Sequence, residues 1–175
     1  MIVIGVVALV AAGILIMSGI AQAKTSGIAN GGTVTPSTPK APSITQLISR
    51  NSLRFGVEEA LIKAHIQVES SWDPNASNPG DPSWGLMGIT PICAQDFGFV
   101  QDWRHPTAAE IARLKDPEVN IEIGTRYLAK LHAKYDFDAA TQMYNCGEHN
   151  FNDHGVRVPD YLSKVRRYYN EFRTA

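Results

Sequence analysis

The stretch Ala64-His65-Ile66-Gln67-Val68-Glu69-Ser70-Ser71-Trp72-Asp73-Pro74 closes an apolar helix on a glutamate. Leu61, Ile62, His65, Ile66 and Val68 recur at helical spacing and form the inner side of a helix expected from Val57 to about Ser71. Glu58 and Glu59 stand in its first turn, where the helix dipole favours acids; Glu69 stands at the far end, where it does not. From Asp73 to Ser83 the chain holds Pro74, Pro79, Gly80 and Pro82 and reads as loop. Gly85-Leu86-Met87-Gly88-Ile89-Thr90-Pro91 then follows, a tight apolar segment bounded by glycines. A carboxyl between such a helix and such a segment belongs at the wall of a cleft. Desolvation there disfavours the charged form, and a glutamate so raised can act as a general acid near neutral pH.

Working outward, Ile44, Leu47, Ile48 and Leu53 mark an amphipathic helix capped by Ser43 and closed by Gly56. Pro91 to Phe97 and Thr107 to Leu114 read as short helices. Pro117 to Lys134 reads as the longest, with Pro117 in its first turn and Val119, Ile123, Tyr127 and Leu131 on one stripe. Asp138 to Asn145, ended by Gly147, and Pro159 to Phe172 complete the set. No alternating strand pattern of useful length and no internal repeat is present, so the fold class is mainly α. His65, one turn before Glu69, is expected as a partly buried helix residue rather than a catalytic partner.

The net charge of −1, from 16 basic and 17 acidic residues, argues against nucleic acid as a partner. The excess of Arg157, Lys164, Arg166, Arg167 and Arg173 over Asp160 and Glu171 reads as a solvated face of the last helix. The five histidines form no ligand cluster, so no metal is expected. Cys93 and Cys146 are expected to border the same cleft; a bridge is open to them, and two small buried apolar groups is the preferred reading.

Residues 2–21 carry no charge and are long enough at helical rise to cross a bilayer core, which gives a membrane anchor over residues 1–23. Ala21-Gln22-Ala23 before Lys24 has the form of a signal-peptidase site, so cleavage and secretion form the rival reading. The run exceeds the length of a typical signal core, and no Lys or Arg precedes it. Residues 24–43, with Pro36, Pro39 and Pro42 among Gly, Thr, Ser and Ala, read as a semi-extended linker. Residues 44–175 are then one folded domain.

Four segments in this order, Ala64 to Pro74, Gly85 to Pro91, Asn120 to Leu128 and Met143-Tyr144-Asn145-Cys146-Gly147, resemble the catalytic domain of the soluble-lytic-transglycosylase family. These relatives of goose-type lysozyme cut the glycan strands of peptidoglycan, and the match runs over roughly residues 44 to 173. The resemblance implies a lysozyme-like fold, no cofactor, and cleavage of the β-1,4 bond between N-acetylmuramic acid and N-acetylglucosamine with a 1,6-anhydro product. It implies Glu69 as the acid that returns as base, followed as in the family by Ser70, and Tyr144 with its hydroxyl near the acid or the sugar. Asn145 shapes the motif's backbone.

The chain departs from the family where Gly88 replaces the usual Gln, removing an amide expected to orient substrate, and where Cys146 replaces Ala. The serine expected to hold the acetamido group is displaced, leaving Ser77, Asn78 and Ser83 as candidates. Met87 is expected on the cleft floor. Two alternatives stay open: a goose-type lysozyme using Asp81 as base for water, and a non-catalytic peptidoglycan-binding protein. An anchor, a linker and one wall-cutting domain facing the periplasm or cell wall would suit a phage virion, a secretion or conjugation assembly, or wall remodelling.

Overall fold

The computed structural model describes residues 40–78, 80 and 82–175. The expected anchor and nearly all of the expected linker lie outside these residues, as does Asp81. Eight helices and one short hairpin occupy the described part. Helix α1 (Ile44–Phe55) begins at a capping box: Ser43 Oγ accepts from the Gln46 backbone N–H, and Gln46 Oε1 accepts from Ser43 N–H at 2.8 Å. Gly56, at φ 69°, ends it in the left-handed conformation. Helix α2 (Glu59–Ser70) carries Glu69 in its last turn.

The segment expected to be loop holds a two-residue hairpin, β1 (Ser77–Asn78) paired antiparallel with β2 (Ser83–Trp84), in register Ser77 to Trp84 and Asn78 to Ser83. Strands of two residues are too short to show alternation, which is why no pattern announced them. Helices α3 (Pro91–Asp96), α4 (Ala108–Lys115) and α5 (Pro117–His132) follow. Thr90, Thr107 and Asp116 cap them in turn, each side chain accepting a backbone N–H of the first turn. Next come α6 (Phe137–Cys146), α7 (Glu148–Asp153) and α8 (Pro159–Arg173). The sequence reading did not anticipate α7; its six residues, Glu-His-Asn-Phe-Asn-Asp, hold a single large apolar side chain and no helical stripe.

Helix α5 is the central element, packed by α1, α4 and α6, while α2 lies against α8 and α1. Ile123 and Leu131 of the expected α5 stripe are fully buried, but so are Asn120, Ile121, Thr125 and Leu128. The helix is therefore covered on more than the one face the spacing indicated. Val119 and Tyr127 flank the core as partly buried residues. Ile48 of α1, Ile62 and Ile66 of α2, and Leu86 and Met87 of the turn from Gly85 to Gly88 share one buried core with α5, which ties the helix that carries Glu69 to that turn. Among the described residues no helix is long and apolar enough to cross a membrane.

Candidate active site

The chain turns sharply just beyond Glu69. Ser71 and Trp72 have φ of 50° and 70°, two non-glycine residues in succession in a region that costs an L-residue energy. Trp72 holds the turn: its Nε1–H donates to Gln67 Oε1 at 2.7 Å, and its ring meets Phe172 of α8 edge-on at 6.2 Å. The sharp exit lets the chain return through the hairpin and bring Gly85 to Gly88 back against the end of α2.

Asn120 fixes that second turn. Its side chain is fully buried; Oδ1 accepts from Met87 N–H at 2.7 Å, and Nδ2 donates to the carbonyls of Trp84 and Leu114 at 2.7 and 2.6 Å. Gly85, at φ 77°, packs directly on this amide: a Cβ there would stand 2.4 Å from Asn120 Nδ2. Gly88 has φ 58°, and a Cβ at its position would stand 2.5 Å from Glu69 Oε2. The turn thus presents bare backbone to the carboxyl group.

On its other oxygen Glu69 meets α8. The Tyr161 hydroxyl donates to Glu69 Oε1 at 2.5 Å, and the same hydroxyl lies 2.9 Å from His65 Nδ1. The Tyr144 hydroxyl donates to the Met87 carbonyl at 2.9 Å. Its ring packs on His65 at 4.4 Å and on Tyr127 at 5.4 Å. Burial, and then the nearby Glu69 charge, push the ionisation of both Tyr144 and Tyr161 well above the ordinary phenol value, so both remain donors. His65 is fully buried and is pulled down to about 3 by that burial, with the charge of His132 as a lesser cause.

Glu69 lies on the wall of a cleft of about 520 Å³, a size suited to a sugar-sized ligand. Asn78, Ser83 and Gly88 line it, as do Tyr144, Asn145 and Cys146. A small recess of about 80 Å³ between Glu69 and the hairpin adds Ser77. The structure therefore gathers Glu69, Tyr144, Ser77, Asn78, Ser83, Gly88 and Asn145 around one space. Met87 differs from expectation: it is completely buried, its thioether packs where a Cβ of Gly124 would be, and only its backbone serves the site. Ser70 also turns inward along its helix, donating to the Ile66 carbonyl at 3.1 Å. Cys93 and Cys146 are free thiols that line the same cleft, and burial pushes Cys93 up to about 12. Among the described residues no group of three His, Cys, Asp or Glu is arranged to hold a metal ion.

Two residues that shape the site were missed from sequence. Tyr161 is 92 positions from Glu69, in a helix whose basic residues dominated its reading. Asn120 heads the family-like segment Asn120 to Leu128, but nothing in a lone helical asparagine says that it is buried. A weak signal existed for each: an aromatic in the first turn of α8, and a polar residue beside the apolar stripe of α5.

The family model for the transglycosylase SLT domain matches residues 46–164, a span that contains this entire site. The chain belongs to that family. Among curated relatives, membrane-bound lytic murein transglycosylase C of Edwardsiella ictaluri is 38% identical over 96 residues, covering 55% of this chain and 26% of that protein. The protein of the same name in Pectobacterium atrosepticum is 37% identical over 98 residues, again covering 55% and 26%. The matched part of this SLT domain thus spans about a quarter of those relatives. The 70 kDa soluble lytic transglycosylase SLT70 of Escherichia coli superposes with a TM-score of 0.55 at 23% identity, over 73% of this chain and 24% of that one, a likeness of fold.

Proposed function

We propose that this chain is a peptidoglycan lytic transglycosylase that cuts the β-1,4 bond between N-acetylmuramic acid and N-acetylglucosamine. The observation that carries the reading is the placement of Glu69: on a cleft wall, one oxygen against the Tyr161 hydroxyl, the other against the bare backbone of Gly88. Glu69 gives its proton to the bridging oxygen as the C1–O bond breaks, and N-acetylglucosamine leaves with a free 4-hydroxyl. The acetamido oxygen of the muramic acid closes on C1 and holds the developing positive charge. Glu69, now a carboxylate, takes the proton of the 6-hydroxyl; O6 attacks C1 and displaces the acetamido oxygen, leaving a 1,6-anhydro ring. No water is consumed and Glu69 ends protonated, ready for the next cycle.

One carboxyl suffices for these steps. Ser77, Asn78 and Ser83 line the recess beside Glu69 and serve here as partners for the acetamido group, and Asn145, which lines the larger cleft, contacts sugar there. The relatives' names, which place them at a membrane, support residues 2–21 as an anchor that holds the domain against the wall. A phage virion or a secretion assembly is a setting that such an arrangement would serve.

The test is the product. Sacculi digested with the full chain should yield muropeptides lighter by one water than reducing ends, read by mass spectrometry. Glu69→Gln should lower the rate by about 10²–10⁴-fold with little change in Tm. Reducing ends in place of anhydro ends, abolished by Asp81→Asn, would instead establish hydrolysis; undiminished wall binding with no turnover would establish a binding protein.

A further inference from the structure

We infer that the cleft carries a charged subsite apart from the scissile bond: Lys130 and Asp96 bind the short peptide borne by muramic acid, Lys130 through a peptide carboxylate and Asp96 through a peptide ammonium. The inference rests on the reading of the chain as an enzyme that cuts peptidoglycan.

Three helices bring charge to this part of the cleft. Asp96 ends α3, Lys130 stands in the last turn of α5 and Glu148 opens α7, and all three line the space that Glu69 lines. Tyr127 and Lys130, three positions apart, share one face of α5, and Lys130 Nζ lies 6.0 Å from the centre of the Tyr127 ring. That ring packs in turn on Tyr144 at 5.4 Å. The tyrosines also report which charges are near them. Tyr144 is pushed up by burial and then by the charge of Glu69, Tyr127 by burial and then by Cys93, Glu148 and Asp96. The charged group thus adjoins Tyr127, and the Tyr144 ring stands between it and the acid.

Glu148 is engaged within the fold: its Oε1 accepts from the Tyr135 hydroxyl at 2.7 Å and lies 3.4 Å from Lys134 Nζ. Lys130 and Asp96 are held more loosely. Nζ lies 3.4 Å from Asp96 Oδ2, beyond the length of about 2.7–2.9 Å of a tight charge-assisted bond, and the two side chains are 37% and 56% exposed. An exposed pair of that length adds little to stability, and the end of α3 is tied to α5 in another way, by the Arg126 guanidinium over the Phe97 ring at 4.7 Å. A ligand that carries both signs of charge can open the pair and satisfy each half. The acetylated glycan is not that ligand, because its hydroxyl and acetamido groups are neutral. Charge in peptidoglycan resides on the peptide joined to the lactyl group of muramic acid, which offers free carboxylates and, where it is not cross-linked, the ammonium of its diamino acid. A cation and an anion set apart from the acid complement that peptide and nothing in the sugars.

The experiment gives the full chain soluble, uncross-linked strands in three forms: with peptides intact, with peptides removed by an amidase, and with the peptide ammonium acetylated. Anhydro ends released per unit time are the readout. Wild type should show kcat/KM at least about tenfold higher on intact than on stripped strands, the lower end of what a contact to a charged group contributes, because these side chains are partly exposed. Lys130→Met, which keeps the apolar stem beside Tyr127, should lose about tenfold on intact strands and under about twofold on stripped ones. Wild type should cut acetylated strands about tenfold more slowly than intact ones. Asp96→Asn should show that same loss on intact strands and no further loss on acetylated ones, since variant and substrate then lack the two halves of one contact. Equal wild-type rates on intact and stripped strands, a Lys130→Met loss of one size on both, acetylation without effect, or an Asp96→Asn loss that multiplies with acetylation would each overturn the inference. Should a variant fail to fold by circular dichroism, the three strands cut by wild type still decide it. A wild type inert on every strand, or one that releases reducing ends, would refute the proposed function itself, whereas anhydro ends formed with no gain from the peptide refute only this subsite.

Discussion

Gly88→Ala adds one methyl group, and the structure says where it goes. The added carbon would stand 2.5 Å from Glu69 Oε2, where ordinary contacts begin at 3.4 Å, so the carboxyl must retreat by the difference of 0.9 Å. A displacement of about 1 Å at the reacting group can cost about 10²-fold in rate. The alanine must also hold φ 58°, a backbone cost of about 1–2 kcal/mol. Gly98→Ala separates the two effects: Gly98 has φ 78° and nothing within 4 Å of its Cβ position, so it bears the backbone cost without the collision. Both variants should therefore lose similar stability in urea unfolding, while only Gly88→Ala should lose kcat on sacculi by about 10²-fold. A Gly88→Ala enzyme within threefold of wild type, or a Gly98→Ala enzyme equally crippled, would refute the claim that position 88 is glycine to admit the carboxyl.

Asn120→Leu should lower unfolding stability by at least about 3 kcal/mol, because Met87 N–H and the carbonyls of Trp84 and Leu114 all lose a buried partner at about 1 kcal/mol or more each; a loss below 1 kcal/mol in urea would contradict it. Stability should also fall with acid through His65. Its folded value of about 3 lies below the unfolded 6.5, so the unfolded chain gains a proton first as pH drops; the contribution is complete above pH 6.5 and is lost toward pH 3 at about 1.4 kcal/mol per unit. Between pH 6.5 and 4.5 wild type should lose about 2–3 kcal/mol more than His65→Leu, measured by urea titration at each pH, and parallel curves would refute the assignment.

Helix ends were the most legible part of the fold, because caps are local chemistry. Ser43, Gly56, Thr107 and Pro117 each stand within a residue or two of the boundary they announced. Glu69 and the glycine-bounded turn were legible for a similar reason, since the break from apolar helix to Pro/Gly-rich segment is visible in one window. What could not be read depends on distance and direction. Tyr161 reaches Glu69 only because α8 lies along α2, and no spacing rule links residues 92 positions apart. Met87 sits in a segment that borders the cleft, and only the neighbouring absence of a side chain at Gly124 explains why it points inward. The burial of Asn120 follows from three backbone groups that converge on it, one in β2, one in the turn after it and one in α4.

The pairing of α2 with α8 has a consequence for when the surroundings of Glu69 are complete. Glu69 is made early in synthesis, but the hydroxyl that donates to it arrives 92 residues later. A nascent chain, or one whose α8 has peeled away, still carries the glutamate but lacks that donor. Detachment of α8 would also release Trp72 from Phe172 and with it the turn that follows the glutamate. On the proposed function, cutting would thus need α8 in place, and local opening of α8 would take the Tyr161 donor away from Glu69.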